Sequence, residues 1–196
     1  VGTAASILSG KRSVEDNADD VIVVVSALGG VTDGLIALTQ QAAAGEAAYQ
    51  EQLEALVQRH HALVAEVIPS EGQGALLQQL DALFTELRSI LHGISLIQDL
   101  TPKTADAIVA YGERLSSLIV TALIAGASHL DARQFMKPMK QGNRHVVDFE
   151  QTNRLIREHF AHRPHRIVTG GFIASDGSTG VTPYLGRGGS DYTASI

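Results

Sequence analysis

The chain has 196 residues, 44% of them hydrophobic and 18% charged, a balance that permits a packed core and excludes a collagen-like or low-complexity polymer. Fifteen Lys+Arg against 21 Asp+Glu give a net charge of −6, which disfavours nucleic acid or another polyanion as partner. The absence of cysteine excludes disulfides, thiolate metal sites and thiol catalysis, and no apolar run approaches the ~18 residues of a membrane span.

Ala4, Ile7, Leu8 and Val14 fall at helical spacing, and the pattern ends in the polar run 15–20. Val21 to Val25 is five consecutive β-branched residues, which predicts a strand buried on both faces. Gly29-Gly30 turns out of it, and Thr32 or Asp33 is placed to cap a helix through Leu35, Leu38 and Ala42. Residues 46–100 are wholly helical in pattern and predict a hairpin broken at Pro69-Ser70-Glu71-Gly72. This stretch reads as a helical insertion. Another helix is expected from about Thr104 to Ile124, with Gly126 as its C-cap.

Short strands are then expected around His129–Asp131 and His145–Val147, a helix over Glu150–Phe160, and a strand at Ile167–Thr169 that ends on Gly170-Gly171. Leu185 to Asp191 leads into a last helix. Strands alternating with helices imply a three-layer α/β/α sandwich with a mostly parallel sheet. Neither repeats nor Gly/Ser/Pro-rich linkers divide the chain, so no domain boundary is visible within 1–196. The chain opens on Val1 in a helix-like pattern and stops at Ile196 just inside another, so both ends are expected to be cut through structure.

Three glycine turns follow strands: Gly29-Gly30, Gly170-Gly171 and Gly186 to Gly189. Ligands of open α/β sheets sit at the carboxyl ends of the strands. Glycine lets backbone N–H groups approach an anion there, and a helix N-terminus adds positive potential. Neither a Walker A loop nor G-x-G-x-x-G is present. Arg187 offers a planar fork for a carboxylate or phosphate. Glu113 has a plainer alternative as an exposed helix carboxylate paired with Arg114 or a neighbour, and Thr32 one as a simple helix cap. Asp191 could be a first-turn acid favoured by the helix dipole. The eight histidines show no metal spacing and read as surface or structural residues.

The block Leu185-Gly186-Arg187-Gly188-Gly189-Ser190-Asp191-Tyr192 resembles the signature of aspartokinases, in the amino acid kinase family. Val24-Val25-Ser26-Ala27, Tyr111-Gly112-Glu113-Arg114-Leu115-Ser116 and Thr169-Gly170-Gly171-Phe172 agree with it in order. The resemblance implies transfer of the ATP γ-phosphate to L-aspartate, with Mg²⁺ carried by the nucleotide and no metal held by the protein alone. It implies that Arg187 clamps the substrate α-carboxylate and Glu113 takes its ammonium. Thr32 and Ser190 would supply hydroxyls, and Gly188 and Gly189 backbone N–H groups. Asp191 would orient a catalytic lysine, and Ser26, Gly29 and Gly30 would form the phosphate turn. A cytoplasmic, homo-oligomeric full-length enzyme is expected on the same ground.

The family's Lys-Phe-Gly-Gly block and its nucleotide-binding half have no counterpart here, so the 196 residues alone are expected to be inactive. A non-catalytic amino-acid-binding module, a partner surface on residues 46–100, and a kinase for another acidic amino acid are the alternative readings.

Overall fold

A computed structural model describes residues 3–17, 20–141, 144–161, 165–171, 173 and 193–195. Helix α1 (Ala4–Glu15) is opened by a capping box, in which Thr3 and Ser6 satisfy each other's backbone N–H groups. Strand β1 (Val21–Val25) leads through the turn 26–30 into α2 (Val31–Ala43). Gly30 is the N-cap of α2, with φ 77° and no side-chain cap bond. Thr32 and Asp33 therefore lie inside the helix and do not cap it, contrary to the sequence reading. The tight exit from β1 needs a left-handed residue, and glycine supplies it without a Cβ clash.

The long helices α3 (Ala48–Val67) and α4 (Ser70–Ile97) form the expected hairpin, hinged at Pro69. Pro69 is the N-cap of α4, so Ser70 to Gly72 form its first turn instead of the break. Leu53, Leu56, Val57, Val64 and Val67 on one helix and Leu76, Leu80, Phe84, Leu87, Leu91 and Ile94 on the other are buried, and they join a core continuous with α2 and β1. Each such side chain contributes roughly 1.5–3 kcal/mol by leaving water. His60 is also inside this core, its Nδ1 at 2.8 Å from the Leu56 carbonyl and its ring edge-on to Phe84. Burial lowers its pKa and keeps it neutral.

The helix expected over 104–124 is two: α5 (Pro102–Val109) and α6 (Tyr111–Leu123), joined at Ala110. No glycine or proline marks that joint. Ala110 is buried in a second apolar cluster with Leu130, Phe135, Met136 and Ile167, while Leu115, Ile119 and Leu123 of α6 join the core shared with the hairpin, so tertiary packing sets the break. The chain leaves α6 at Ile124, and Gly126, with φ 71°, lies in the turn that follows.

Strand β2 (Ser128–His129) is followed by a 3₁₀ turn (Ala132–Gln134) and an antiparallel pair, β3 (Pro138–Gln141) and β4 (Arg144–Val147). Helix α7 (Phe149–Phe160) is capped by Asp148, whose side chain accepts the Gln151 N–H. Strand β5 (Arg166–Gly170) then runs between β1 and β2, parallel to both. Val168 faces the core formed with α6, and Ile167 faces the one formed with Leu155, Ile156 and Phe160 of α7. Helices therefore cover both faces of a small parallel sheet, a mixed α/β fold in which helices predominate.

Strand β1 is less enclosed than expected. Ile22 is 51% exposed, because among the described residues β1 pairs only with β5 and its register sets Ile22 beside Ile167, on the α7 face.

Candidate functional site

The parallel register aligns Val25 with Gly170, so β1 and β5 end side by side, and the Gly171 N–H donates to the Val25 carbonyl at 2.8 Å. The first turn of α6 runs across these two ends. Glu113, its third residue, is 4% exposed, and one carboxylate oxygen, Oε1, accepts the Ala27 N–H at 3.3 Å. Ser116, one helical turn on and fully buried, donates its hydroxyl to the Ser26 carbonyl at 2.8 Å. That carbonyl and the Ala27 N–H belong to a single peptide unit. Helix α6 therefore grips both polar groups of the peptide with which the chain leaves β1.

Two glycines allow this approach. A Cβ on Gly112 would lie 2.7 Å from the Ala27 Cβ, and one on Gly170 would lie 3.1 Å from the Glu113 Cβ. The carboxylate is thus wedged between the ends of two strands. The alternative of an exposed helix acid paired with Arg114 is overturned. Arg114 instead lies over the Tyr111 ring and donates to Glu86 of α4 at 3.3 Å, and the Tyr111 hydroxyl donates to the same Glu86 oxygen at 3.0 Å.

The second Glu113 oxygen, Oε2, is buried without a hydrogen-bond partner, as is the Thr169 hydroxyl on β5. Loss of hydration raises the Glu113 pKa from 4.5 to about 7, outweighing the opposing bonds from its own backbone and from Ala27. A buried carboxylate with one oxygen committed and the other unpaired is suited to receive a cation. An ammonium group placed there would recover the desolvation cost.

Ser26, Gly29 and Gly30 lie on the exposed side of the same turn, and Thr32 is half-buried in the first turn of α2. The structure thus brings Glu113, Ser26 and the glycine turn together. Arg187, Gly188, Gly189, Ser190 and Asp191, with the last glycine turn, lie outside the described residues. Gly112, Ser116, Thr169 and Gly170 were part of the sequence blocks that carried the resemblance, but their packing roles emerge only in three dimensions. Ala27 contributes through its backbone, which residue type does not report. Among the described residues no group of three His, Asp or Glu side chains could hold a metal ion, and no helix is long and apolar enough to cross a membrane.

Parallel strands thus end at glycine turns beside a buried acid, at the carboxyl edge of the sheet where open α/β folds place their ligands. The chain belongs to the amino acid kinase family, whose model matches residues 5–196. It superposes on E. coli aspartokinase III in complex with lysine and aspartate (T-state) with a TM-score of 0.85 at 25% identity, covering 98% of this chain and 44% of that one. The same enzyme in complex with aspartate and ADP (R-state) gives a TM-score of 0.85 at 25% identity, over 98% of this chain and 43% of that one. A chloroplastic bifunctional aspartokinase/homoserine dehydrogenase of Zea mays is 27% identical over 187 residues, covering 92% of this chain and 20% of that protein. The chain therefore spans under half of the bacterial enzyme and about a fifth of the plant protein.

Proposed function

We propose that this stretch is the aspartate-binding part of an ATP-dependent kinase that converts L-aspartate to 4-phospho-L-aspartate, the first step towards lysine, threonine and methionine. The observation that carries the reading is the unpaired Oε2 of Glu113 at the joint carboxyl ends of β1 and β5. Its support is the similarity to an aspartokinase that holds aspartate and ADP.

The chemistry asks little of a general base. A β-carboxylate with a pKa near ~3.9 is already ionised at neutral pH. One of its oxygens forms a bond to the γ-phosphorus while the bond from that phosphorus to the bridging oxygen of ADP breaks, and the electron pair leaves with ADP. Positioning and charge neutralisation supply the rate. Glu113 receives the substrate ammonium through Oε2. On the resemblance, Arg187 clamps the α-carboxylate, Thr32 and Ser190 supply hydroxyls, and the N–H groups of Gly188 and Gly189 line the pocket. On the same ground, Asp191 orients a catalytic lysine. Ser26, Gly29 and Gly30 form the phosphate side. Mg²⁺ carried by the ATP phosphates would neutralise part of their charge.

The test is a coupled ADP-release assay with Mg·ATP and a panel of aspartate, glutamate and N-acetylglutamate. The longer protein that carries this stretch is the form to assay. Aspartate-dependent release supports the proposal. Turnover of another member of the panel alone would replace it with the related-kinase reading, and aspartate binding without any turnover would replace it with the binding-module reading.

A further inference from the structure

The helical hairpin of α3 and α4 touches the site at two points, one on each side of it. From α3, the Arg59 guanidinium donates through Nη2 to the Gly29 carbonyl at 2.6 Å. It lies beside Gly30, where a Cβ would be 3.9 Å from Nη1. From α4, Glu86 accepts both the Tyr111 hydroxyl and Arg114, the residues that flank Gly112 and Glu113. Each contact reaches across a large sequence separation, and both helices share one core with α2 and α6.

Within the turn 26–30, the Ser26 carbonyl and the Ala27 N–H are committed to α6, while the Leu28 carbonyl accepts the Val31 N–H at 2.9 Å and the Gly30 carbonyl the Gly34 N–H at 3.0 Å, both from α2. Arg59 anchors the Gly29 carbonyl from the hairpin. Neither Arg59 nor Glu86 is needed to fill the core, since Arg59 is exposed and the Glu86 side chain is 57% exposed. Their polar contacts instead join the rigid hairpin to the two walls of the site.

We propose that the hairpin is a brace and that Arg59 and Glu86 are positioning residues. Arg59 fixes the glycine turn, Glu86 fixes the first turn of α6, and together they set the separation between the turn and the Glu113 carboxylate. This role rests on the function proposed above for its kinetic consequence but not for its structural one. A bond-length error in placing reacting groups can cost up to about a hundredfold in rate, so loss of either tether acts on kcat more than on folding.

The experiment compares Arg59→Met, which keeps the aliphatic stem, and Glu86→Ala with their conservative partners Arg59→Lys and Glu86→Gln in the full-length protein. Glu54→Ala is the control, because it breaks an ion pair to Arg88 that lies within the hairpin and does not reach the site. Hydrogen exchange is followed over residues 26–31 and 111–116, beside steady-state kinetics and thermal melting. We expect faster exchange at residues 26–31 in Arg59→Met and at 111–116 in Glu86→Ala. We also expect roughly a tenfold or greater loss of kcat in both, recovery in the conservative variants, and no change in Glu54→Ala. Unchanged exchange at both segments, or raised exchange with kcat at the wild-type value, overturns the proposal. Wild-type protein that releases no ADP with aspartate counts against the function proposed above, and the exchange result then decides the brace alone.

Discussion

Gly112 and Ala27 are in direct apposition: a methyl group added at Gly112 would come within 2.7 Å of the Ala27 Cβ. Helix α6 can reach the peptide between Ser26 and Ala27 only because its second residue lacks a side chain. Gly112→Ala should gain up to about 1 kcal/mol of helix propensity and lose roughly 1–3 kcal/mol to overpacking. Net destabilisation is expected in urea unfolding, with a larger proportional loss of aspartate affinity, because the displaced atoms are those that place Glu113. A stabilised variant with unchanged affinity would contradict this close-packed arrangement.

Ionisation of Glu113 makes stability depend on pH in a direction opposite to that of most carboxylates. Its pKa is about 7 in the folded chain against 4.5 for an unperturbed glutamate. The folded state therefore holds the proton more tightly, and stability falls as pH rises from about 4.5 to about 7, then levels. At ~1.4 kcal/mol per pH unit, the loss attributable to this group is roughly 3 kcal/mol. Glu113→Gln keeps an acceptor for the Ala27 N–H and removes the titration. Denaturant midpoints measured at several pH values should show the variant and wild type converging at low pH and the variant gaining on wild type up to neutrality. Parallel curves would sink the assignment.

Ser116→Ala removes the donor to the Ser26 carbonyl. The bond is only partly buried, with Ser116 enclosed and Ser26 exposed, so the stability cost should be modest, about 1 kcal/mol. The peptide would then be held to α6 by its N–H alone, the group that donates to Glu113. Calorimetric titration with aspartate should show weaker binding in a protein whose melting temperature has moved by only a few degrees. Wild-type affinity in Ser116→Ala would mean that the grip on the peptide is not functional.

Much of this arrangement is legible in the chain because it depends on local chemistry. The β-branched run Val21–Val25 forms a strand, Pro69 breaks the hairpin, and the spacing of apolar residues from Leu53 to Leu91 describes its two faces. Other features depend on partners distant in sequence. Strand β3, Pro138–Gln141, lacks the alternation and branched residues that mark a strand, and it exists through pairing with β4. The joint at Ala110 carries no breaker residue, and the exposure of Ile22 follows from the order of strands.

Glu113 stood out in the sequence by its motif alone. Its burial, its raised pKa and its unpaired oxygen follow from the glycine contacts at positions 112 and 170, which no local pattern encodes. Arg59 lies on the exposed side of a helix, where sequence periodicity assigns only a solvated charge. Its bond to Gly29 comes from how the hairpin folds back onto the turn.

The central claim is that Glu113 receives the substrate ammonium, and the most direct test is the proton balance of aspartate binding. With its pKa at about 7, Glu113 is close to half protonated at neutral pH, and an ammonium beside Oε2 would drive that proton off. Calorimetric titration of the full-length protein with aspartate near pH 7, in buffers of different ionisation enthalpy, should report release of roughly half a proton per site. The release should vanish in Glu113→Gln and decline towards pH 9 in the wild type. Aspartate binding with no proton release at pH 7, or with the same release in Glu113→Gln, would contradict the account.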